Sequence, residues 1–153
     1  MGGTLDTIIV CILRIFVLLY LYQTIYMLVG LFCKPKRFTA KKQHRYGVLI
    51  SARNESAVIA HLIESIRNQN YPSELVDVFV VADNCTDDTA DAARAAGAIV
   101  FERFNQEEKG KGYALNYLLG RIKQQYGPEY YEGFFIFDAD NVLEKDYITQ
   151  MNT

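Results

Sequence analysis

Two aspartates stand where a strand that looks buried comes to an end. The stretch FFIFDADN, residues 134–141, carries four apolar side chains and then Asp138 and Asp140, with only Ala139 between them. Ionised carboxylates at the end of a core strand must be paired or must hold a cation, since burying an unpaired charge is costly. Residues i and i+2 of an extended segment project to the same side, so the two carboxylates could share one ligand.

A hard divalent cation is the ligand that this pair would suit. Mg²⁺ is usually held by one or two carboxylates together with the phosphate oxygens of a substrate. Such a metal would neutralise a diphosphate leaving group, acting as a Lewis acid and as a template. The alternative is that Asp138 and Asp140 only form a turn or a helix cap, as aspartate often does. A D-x-D sequence alone does not decide between these two.

Other polar residues follow predicted strands in the same way. Asp83 closes the run VDVFVVAD, where its carboxylate could accept a hydrogen bond from a base or a ribose or could simply belong to a turn. Arg53 and Glu55 follow YGVLIS, and a surface ion pair of little energetic consequence is the alternative there. Lys109 and Lys111 alternate with glycines in EKGKG, which would let the backbone approach a phosphate group or would form a flexible charged loop.

These polar groups need a scaffold, and the chain alternates strand-like and helix-like patterns. Strands are predicted over residues 46–51, 76–83, 98–102 and 133–138, and helices over 56–69, 86–96, 113–125 and from about residue 144. The runs VFVVA and FFIF are apolar throughout, which is typical of parallel strands buried on both faces. We therefore expect an α/β fold with a mainly parallel sheet. The polar clusters would meet in one crevice at the carboxyl ends of its strands. No GxGxxG or Walker sequence is present, so neither a dinucleotide site nor a P-loop is supported.

The N-terminal segment is of a different kind. Residues 7–32 form an almost unbroken apolar run whose single charge is Arg14, and a helix needs about 20 such residues to cross a bilayer. A cleaved signal peptide is disfavoured because the preceding residues MGGTLDT contain no basic residue. Residues 1–45 carry seven basic side chains and one acidic, and residues 46–153 carry nine and seventeen. The positive-inside rule then places the N-terminus outside and the rest of the chain in the cytoplasm.

Three segments follow from these patterns. Residues 1–33 are predicted to be a transmembrane anchor, residues 34–45 a basic juxtamembrane linker and residues 46–153 a nucleotide-binding unit. The basic stretch is assigned to the surface of the lipid bilayer, and nucleic acid is not expected as a partner. The three cysteines, Cys11, Cys33 and Cys85, form neither a CxxC pair nor a zinc-binding spacing, which fits a reducing cytoplasm.

The ordered series ISARNES, VVADNCTDDTA, EKGKGYALNYLL and FIFDADN resembles the N-terminal half of a family 2 glycosyltransferase of the GT-A fold. It looks most similar to membrane-bound bacterial members akin to cellulose and poly-N-acetylglucosamine synthases. The resemblance implies a Rossmann-like nucleotide-binding sheet, truncated here, and a UDP-sugar donor bound with Mg²⁺ or Mn²⁺. It also implies a carbohydrate or lipid-linked acceptor and inversion at the anomeric carbon, for which a general base must take the proton of the acceptor.

The resemblance assigns roles to seven residues of the four motifs. They would surround the nucleoside, the diphosphate and the metal. By this similarity Ala52, Arg53 and Glu55 lie around the nucleoside, and Asp83 hydrogen-bonds the uracil. Lys111 approaches the base or the diphosphate. Asp138 lies near the ribose or the sugar and the metal, and Asp140 binds the metal.

Two motifs of the family are missing from these residues. The carboxylate base and the Q-x-x-R-W motif both follow the D-x-D, and neither His44 nor His61 is a credible substitute for the base. The expectation is therefore a donor-binding half that does not transfer sugar alone. The alternative is an inactive, truncated or remnant membrane-anchored module that binds nucleotide sugars.

Two other enzyme classes fit the residues poorly. A phosphatase of the haloacid dehalogenase type also ends a strand in D-x-D, but Gly-Thr usually follows there, whereas Asn141 and Val142 follow here. A nucleotidyltransferase would require a glycine-rich basic loop after its first strand, and ARNES is not one.

Overall fold

The structure, a computed structural model, describes residues 2–33 and 40–152. The chain divides into two compact units, Met1–Phe38 and Thr39–Thr153. Half of the predicted basic linker, residues 34–39, lies outside the described residues, as do its Lys34, Lys36 and Arg37. The segment boundaries at residues 33 and 45 therefore stay predictions.

The described part of the first unit contains one long helix, α1, at Gly2–Phe32. Its described side chains are exposed all round. Within it, Asp6–Phe32 has a mean hydropathy of 2.2 and is long and apolar enough to cross a membrane. A helix that is apolar on every side requires apolar surroundings, which fits the membrane anchor expected from the sequence by length and composition.

The second unit is built on a four-stranded sheet. Its strands are β1 (Tyr46–Ala52), β2 (Val76–Asp83), β3 (Ile99–Arg103) and β4 (Gly133–Asp138). Its helices are α2 (Ile59–Arg67), α3 (Thr89–Ala95), α4 (Lys111–Tyr126) and α5 (Tyr147–Met151), with a 3₁₀ turn at Ser73–Leu75. The strand order is β3-β2-β1-β4 and every neighbouring pair is parallel. The predicted α/β fold with a mainly parallel sheet is confirmed.

Helices cover both faces of this sheet, as the alternation of side chains along a strand requires. Val48 and Ile50 point to one face, where they pack with buried residues of α2, α3 and α5. Leu49 points to the other face, where it packs with Phe79 and with Leu118 of α4. The two cores hold the strands in place, and all the strands present their carboxyl ends at one edge.

The apolar run of β4 behaves differently from that of β2. Every residue from Val78 to the end of β2 is buried, whereas Phe134 and Ile136 of β4 are 38% and 52% exposed. The expectation that FFIF is buried on both faces is therefore wrong. The reason is that β4 is an edge strand and α4 packs against β1 and β2, so only the Phe135 and Phe137 side of β4 is covered.

Helix boundaries differ from the predictions by one to three residues, and one of the differences concerns the site. α4 begins at Lys111, two residues earlier than the predicted start at residue 113, after Gly110 with a φ of 117°. Only glycine adopts such a φ readily. Lys111 is therefore the first residue of a helix and not part of a loop.

Candidate functional site

The sheet brings the polar ends of its strands side by side. In the strand register Ala52 pairs with Ala82, Ser51 with Asp138, and Asp83 with Arg103. Neighbouring strands lie about 4.8 Å apart. The segments ARNE, ADNCTDD and DADN therefore lie along one edge of the sheet, as the sequence predicts.

The loops after β1 and β2 are joined by hydrogen bonds. The Asn54 side chain accepts from the backbone N–H of Thr86 at 2.8 Å. The backbone N–H of Glu55 donates to the buried hydroxyl of Thr89 at 2.8 Å. That hydroxyl in turn donates to Asp87 at 2.5 Å. The two loops consequently form one ordered wall of the crevice.

Asp87 contributes to this wall through its charge. Its carboxylate accepts from the hydroxyl and backbone N–H of Thr89 and from the backbone N–H of Ser56. These bonds, the hydroxyl of Thr89 foremost, lower the pKa of Asp87 to about 2. Hydrogen bonds to the ionised form have this effect because protonation would break them.

Asp83 lies at the centre of the crevice and is paired with a residue that the sequence interpretation missed. Its Oδ1 accepts from Nη1 of Arg103 at 2.7 Å, and both side chains are only 6% exposed. The bond to Asp83 is the main cause that raises the pKa of Arg103 above its ordinary value. A buried guanidinium and a buried carboxylate compensate each other in this way.

The acidic pair after β4 lies at the other side of the crevice and is much more open. Asp138 forms an ion pair with Lys111, and the two side chains are 63% and 46% exposed. Asn141 closes the turn, with its side-chain oxygen accepting from the N–H of Asp138 at 3.2 Å. Asp140 is exposed and Ala139 is buried beneath the turn.

This acidic pair suits a divalent cation that is completed by other ligands. Among the described residues, no cluster of three carboxylate, histidine or cysteine side chains could hold a metal by itself. Two exposed carboxylates are nonetheless the protein share of a typical Mg²⁺ site, in which phosphate and water oxygens fill the remaining positions. Asp138 and Asp140 therefore fit a metal that arrives with a diphosphate.

The remaining predicted residues take three positions. Ala52 is buried at the end of β1. Arg53 is exposed and Glu55 is half-buried, and neither side chain makes a hydrogen bond or an ion pair with the described residues. The alternative of an Arg53–Glu55 surface ion pair is thus wrong for the described part of the chain. Both side chains remain available to a ligand.

Arg103 and Asn84 were missed by the sequence interpretation. The predicted third strand ended at Glu102, one residue before the arginine, and the sequence interpretation gave Asn84 no role. The side chain of Asn84 is buried, accepts from the N–H of Asn105 at 3.0 Å and donates to its C=O at 3.0 Å. The rule that located Asp83, a polar residue where an apolar strand ends, would also have located Arg103.

An open cleft of about 450 Å³ adjoins the crevice between the end of β3 and the start of α4. Its walls include Arg103, Glu108 and Asn116, together with the exposed rings of Phe104 and Tyr113. Ligand pockets typically measure about 300–1,000 Å³ and combine apolar rings with a few polar groups. The cleft leaves room for a ligand group beside the strand ends.

Neither histidine lies in the crevice. His44 precedes β1 at the opposite edge of the sheet, where its Nδ1 lies 3.0 Å from a carboxylate oxygen of Glu132. His61 is exposed on α2. Neither histidine is therefore placed to act as a base at the strand ends.

Comparison with known proteins gives a family match. The model of the family described as "Glycosyltransferase like family 2" matches residues 44–153. The beta-monoglucosyldiacylglycerol synthase of Nostoc sp. is 30% identical over 125 residues, which cover 76% of this chain and 25% of the relative. The 4,4'-diaponeurosporenoate glycosyltransferase of Staphylococcus aureus is 41% identical over 70 residues, covering 46% of this chain and 18% of the relative. The chain thus spans a quarter or less of the length of these curated relatives.

Solved structures show the same sheet. A mannosyltransferase from Pyrobaculum calidifontis in complex with GDP-Man and Mn²⁺ superposes with a TM-score of 0.65 and 26% identity, covering 87% of this chain and 38% of that one. The S. aureus TarS 1-349 complex with UDP-GlcNAc has a TM-score of 0.56 and 20% identity, covering 70% and 30%. At that identity the second likeness concerns the fold alone.

Proposed function

This chain belongs to the glycosyltransferase-like family 2 and has the GT-A fold, and we propose that it is the donor-binding half of an inverting, metal-assisted glycosyltransferase. The proposed donor is a nucleotide sugar, specifically a UDP-sugar. The observation that carries the proposal is the placement of Asp83 and of the Asp138–Asp140 pair along one edge of a parallel sheet in a chain of this family.

The proposed roles follow the geometry of the crevice. The ordered wall formed by the loops after β1 and β2 receives the nucleoside, with Ala52, Arg53 and Glu55 around it and Asp83 accepting a hydrogen bond from the base. Lys111, at the start of α4, approaches the diphosphate. The N-terminus of α4 adds free backbone N–H groups, which favour anions.

Asp138 and Asp140 are the proposed ligands of Mg²⁺ or Mn²⁺. The bound metal supplies positive charge that stabilises the departing nucleoside diphosphate. Asp138 is paired with Lys111 in this structure, so the ammonium group lies where positive charge is required. The Mn²⁺ in the similar mannosyltransferase complex supports this cofactor class.

The acceptor and the location are proposed from the relatives and from α1. The names of the two relatives contain a diacylglycerol and a diaponeurosporenoate, which both carry long hydrocarbon chains. A lipid-linked acceptor is thus favoured over a free carbohydrate. α1 would anchor the chain in a membrane, with the α/β unit on the cytoplasmic side where nucleotide sugars are bound.

Donor binding by the full chain in detergent tests this proposal. Titration with UDP-glucose, UDP-GlcNAc and GDP-mannose, with and without Mn²⁺, is expected to reveal binding of at least one donor that Mn²⁺ strengthens. Asp140→Asn should lower the metal-dependent affinity by at least about tenfold, because it removes a metal ligand. The matched control is Asp91→Asn, an equal charge change on the exposed side of α3, which should bind as the wild type does.

Two results would contradict the proposal. Absence of binding for every donor would contradict the nucleotide-sugar site. Binding that Mn²⁺ does not strengthen, or that Asp140→Asn leaves unchanged, would contradict the metal site at the D-x-D. A radiolabelled donor incubated with the same chain and membrane lipids then tests the half-enzyme assignment. Sugar transfer by these 153 residues alone would refute it.

A further inference from the structure

Arg103 is a buried cation to which none of the proposed roles refers. Its side chain is 6% exposed although it lies at the end of β3, an edge strand. Arginine is almost never buried unless it is paired, because desolvating its charge is costly. Its partners therefore indicate what it does.

The guanidinium of Arg103 bridges two segments of the crevice. Nη1 donates to Oδ1 of Asp83 at 2.7 Å, and Nη2 donates to the backbone C=O of Glu108 at 2.9 Å and lies 3.3 Å from its Oε2. Asp83 ends β2, whereas Glu108 lies in the loop that leads to Lys111. One rigid fork thus fixes the orientation of the carboxylate relative to the loop.

Asn84 reinforces the same junction from the other side. Its backbone N–H donates to the C=O of Arg103 at 2.7 Å, and its side chain holds both the N–H and the C=O of Asn105. The left-handed φ of 53° at Asn84 turns its side chain into this position. Hydrogen bonds from Asn84 therefore fix the backbone on both sides of Arg103's neighbour Phe104.

The pairing occupies only one of the two oxygens of Asp83. Oδ2 accepts no hydrogen bond from the described residues. No fully buried side-chain oxygen among those residues lacks a partner, so Oδ2 keeps some contact with solvent. An ionised carboxylate oxygen can only accept, so it suits a ligand that presents an N–H or O–H group and not one that presents an acceptor.

We propose that Arg103 is a positioning residue for the donor nucleobase, holding Asp83 by Oδ1 so that Oδ2 accepts a ring N–H. The inference rests on the proposed function, in which Asp83 contacts the base. Uracil and guanine carry such a ring N–H, whereas cytosine and adenine carry a ring acceptor in the corresponding position. The similar mannosyltransferase, solved with GDP-Man, holds a base of the first kind.

Comparing the affinities of UDP and CDP in the presence of Mn²⁺ tests this role in the full chain. Wild type is expected to prefer UDP, and Asp83→Asn should lower the UDP/CDP affinity ratio. Arg103→Met should lower the same ratio by about tenfold, which corresponds to the free energy of one charge-assisted hydrogen bond. The double variant should be no less selective than Asp83→Asn alone, because Arg103 acts through Asp83.

Arg103→Lys keeps the charge but not the planar guanidinium with its two donor groups, so it should reduce the ratio by about threefold. This variant tests the positioning role if Arg103→Met does not fold. The matched control is Arg94→Met, which removes an arginine that pairs with Asp91 and Glu102 and makes no bond to Asp83. Its ratio should equal that of the wild type.

The outcomes separate this inference from the proposed function. If wild type binds no nucleotide, the proposed function fails and the inference fails with it. If Asp83→Asn loses selectivity while Arg103→Lys and any folded Arg103→Met retain it, the arginine is only structural and the inference alone is overturned. If the Arg103 variants lose affinity for UDP and for CDP in equal proportion, the inference is overturned as well.

Discussion

The two halves of the crevice are built in opposite ways. At the ends of β1, β2 and β3, the side chains of Asp83 and Arg103 are each 6% exposed, and hydrogen bonds between loops surround the pair. At the end of β4, the pair Lys111–Asp138 is about half exposed and is joined to little else. After their proposed roles, we call these the nucleoside half and the metal half.

The two aspartates end strands of different kinds, whereas Arg103, at the end of the edge strand β3, is enclosed through its bonds to Asp83 and Glu108. β2 is an interior strand with a neighbour on either side, so the residues at its end can be enclosed by two loops. β4 is an edge strand with one neighbour, so the turn after it faces solvent. This contrast fits the proposed function. In that proposal a base is recognised by a fixed hydrogen bond, which favours an ordered site, whereas a metal and a diphosphate bring their own charges and can complete an open one.

The largest expected effect on stability comes from the asparagine within the nucleoside half. Asn84→Ala removes two side-chain hydrogen bonds to the backbone of Asn105 and leaves an alanine at a φ of 53°. We expect a loss of about 3 kcal/mol in the free energy of unfolding. Urea unfolding of the detergent-solubilised chain, followed by circular dichroism, measures it.

Asn141→Ala is the matched variant in the metal half, since it removes one exposed side-chain bond to the N–H of Asp138. Its expected loss is at most about 1 kcal/mol. Equal losses of unfolding free energy in Asn84→Ala and Asn141→Ala would show that the two halves do not differ in this way.

A smaller effect on the free energy of unfolding is expected when the pH is lowered, through Asp87 in the wall of the nucleoside half. The pKa of Asp87 is lowered from 3.8 to about 2, chiefly by the hydroxyl of Thr89. A lowered pKa in the folded state means that the ionised form stabilises the fold above pH 3.8, and that this contribution disappears as the pH falls to about 2. The stability difference between wild type and Asp87→Asn should therefore shrink over that interval.

Asp88→Asn controls for the change in charge, because the side chain of Asp88 makes no hydrogen bond to the described residues. The measurement is again urea unfolding of both variants, repeated across the acidic range. A wild-type advantage over Asp87→Asn that stays constant down to pH 2 would show that the charge of Asp87 does not stabilise the wall.

The smallest effect on stability is expected in the metal half. Lys111→Met breaks the ion pair with Asp138, but exposed pairs contribute little because solvent screens them. The free energy of unfolding should change by no more than about 0.5 kcal/mol. Lys109→Met, which removes a neighbouring lysine, is the control. A loss above about 1 kcal/mol for Lys111→Met alone would mean that the metal half is also ordered in advance.

Local patterns in the sequence were enough to predict the elements that carry the site. Apolar runs indicated all four strands, and polar residues after them indicated the edge where Asp83 and Asp138 lie. The apolar run of residues 7–32 likewise indicated α1. Such patterns are readable because they depend on neighbours in the chain: side chains alternate along a strand and recur every 3.6 residues along a helix.

Contacts between distant segments decided the rest. The sequence could not show that Arg103 pairs with Asp83, since the two are 20 residues apart and meet only through the β2–β3 register. Nor could it show that β4 lies at an edge, which leaves Phe134 and Ile136 exposed although their types match those of a buried strand. Residue types and local order thus determined which groups the crevice contains. Strand order determined which of them are buried and paired, because burial depends on what the rest of the chain places beside each residue.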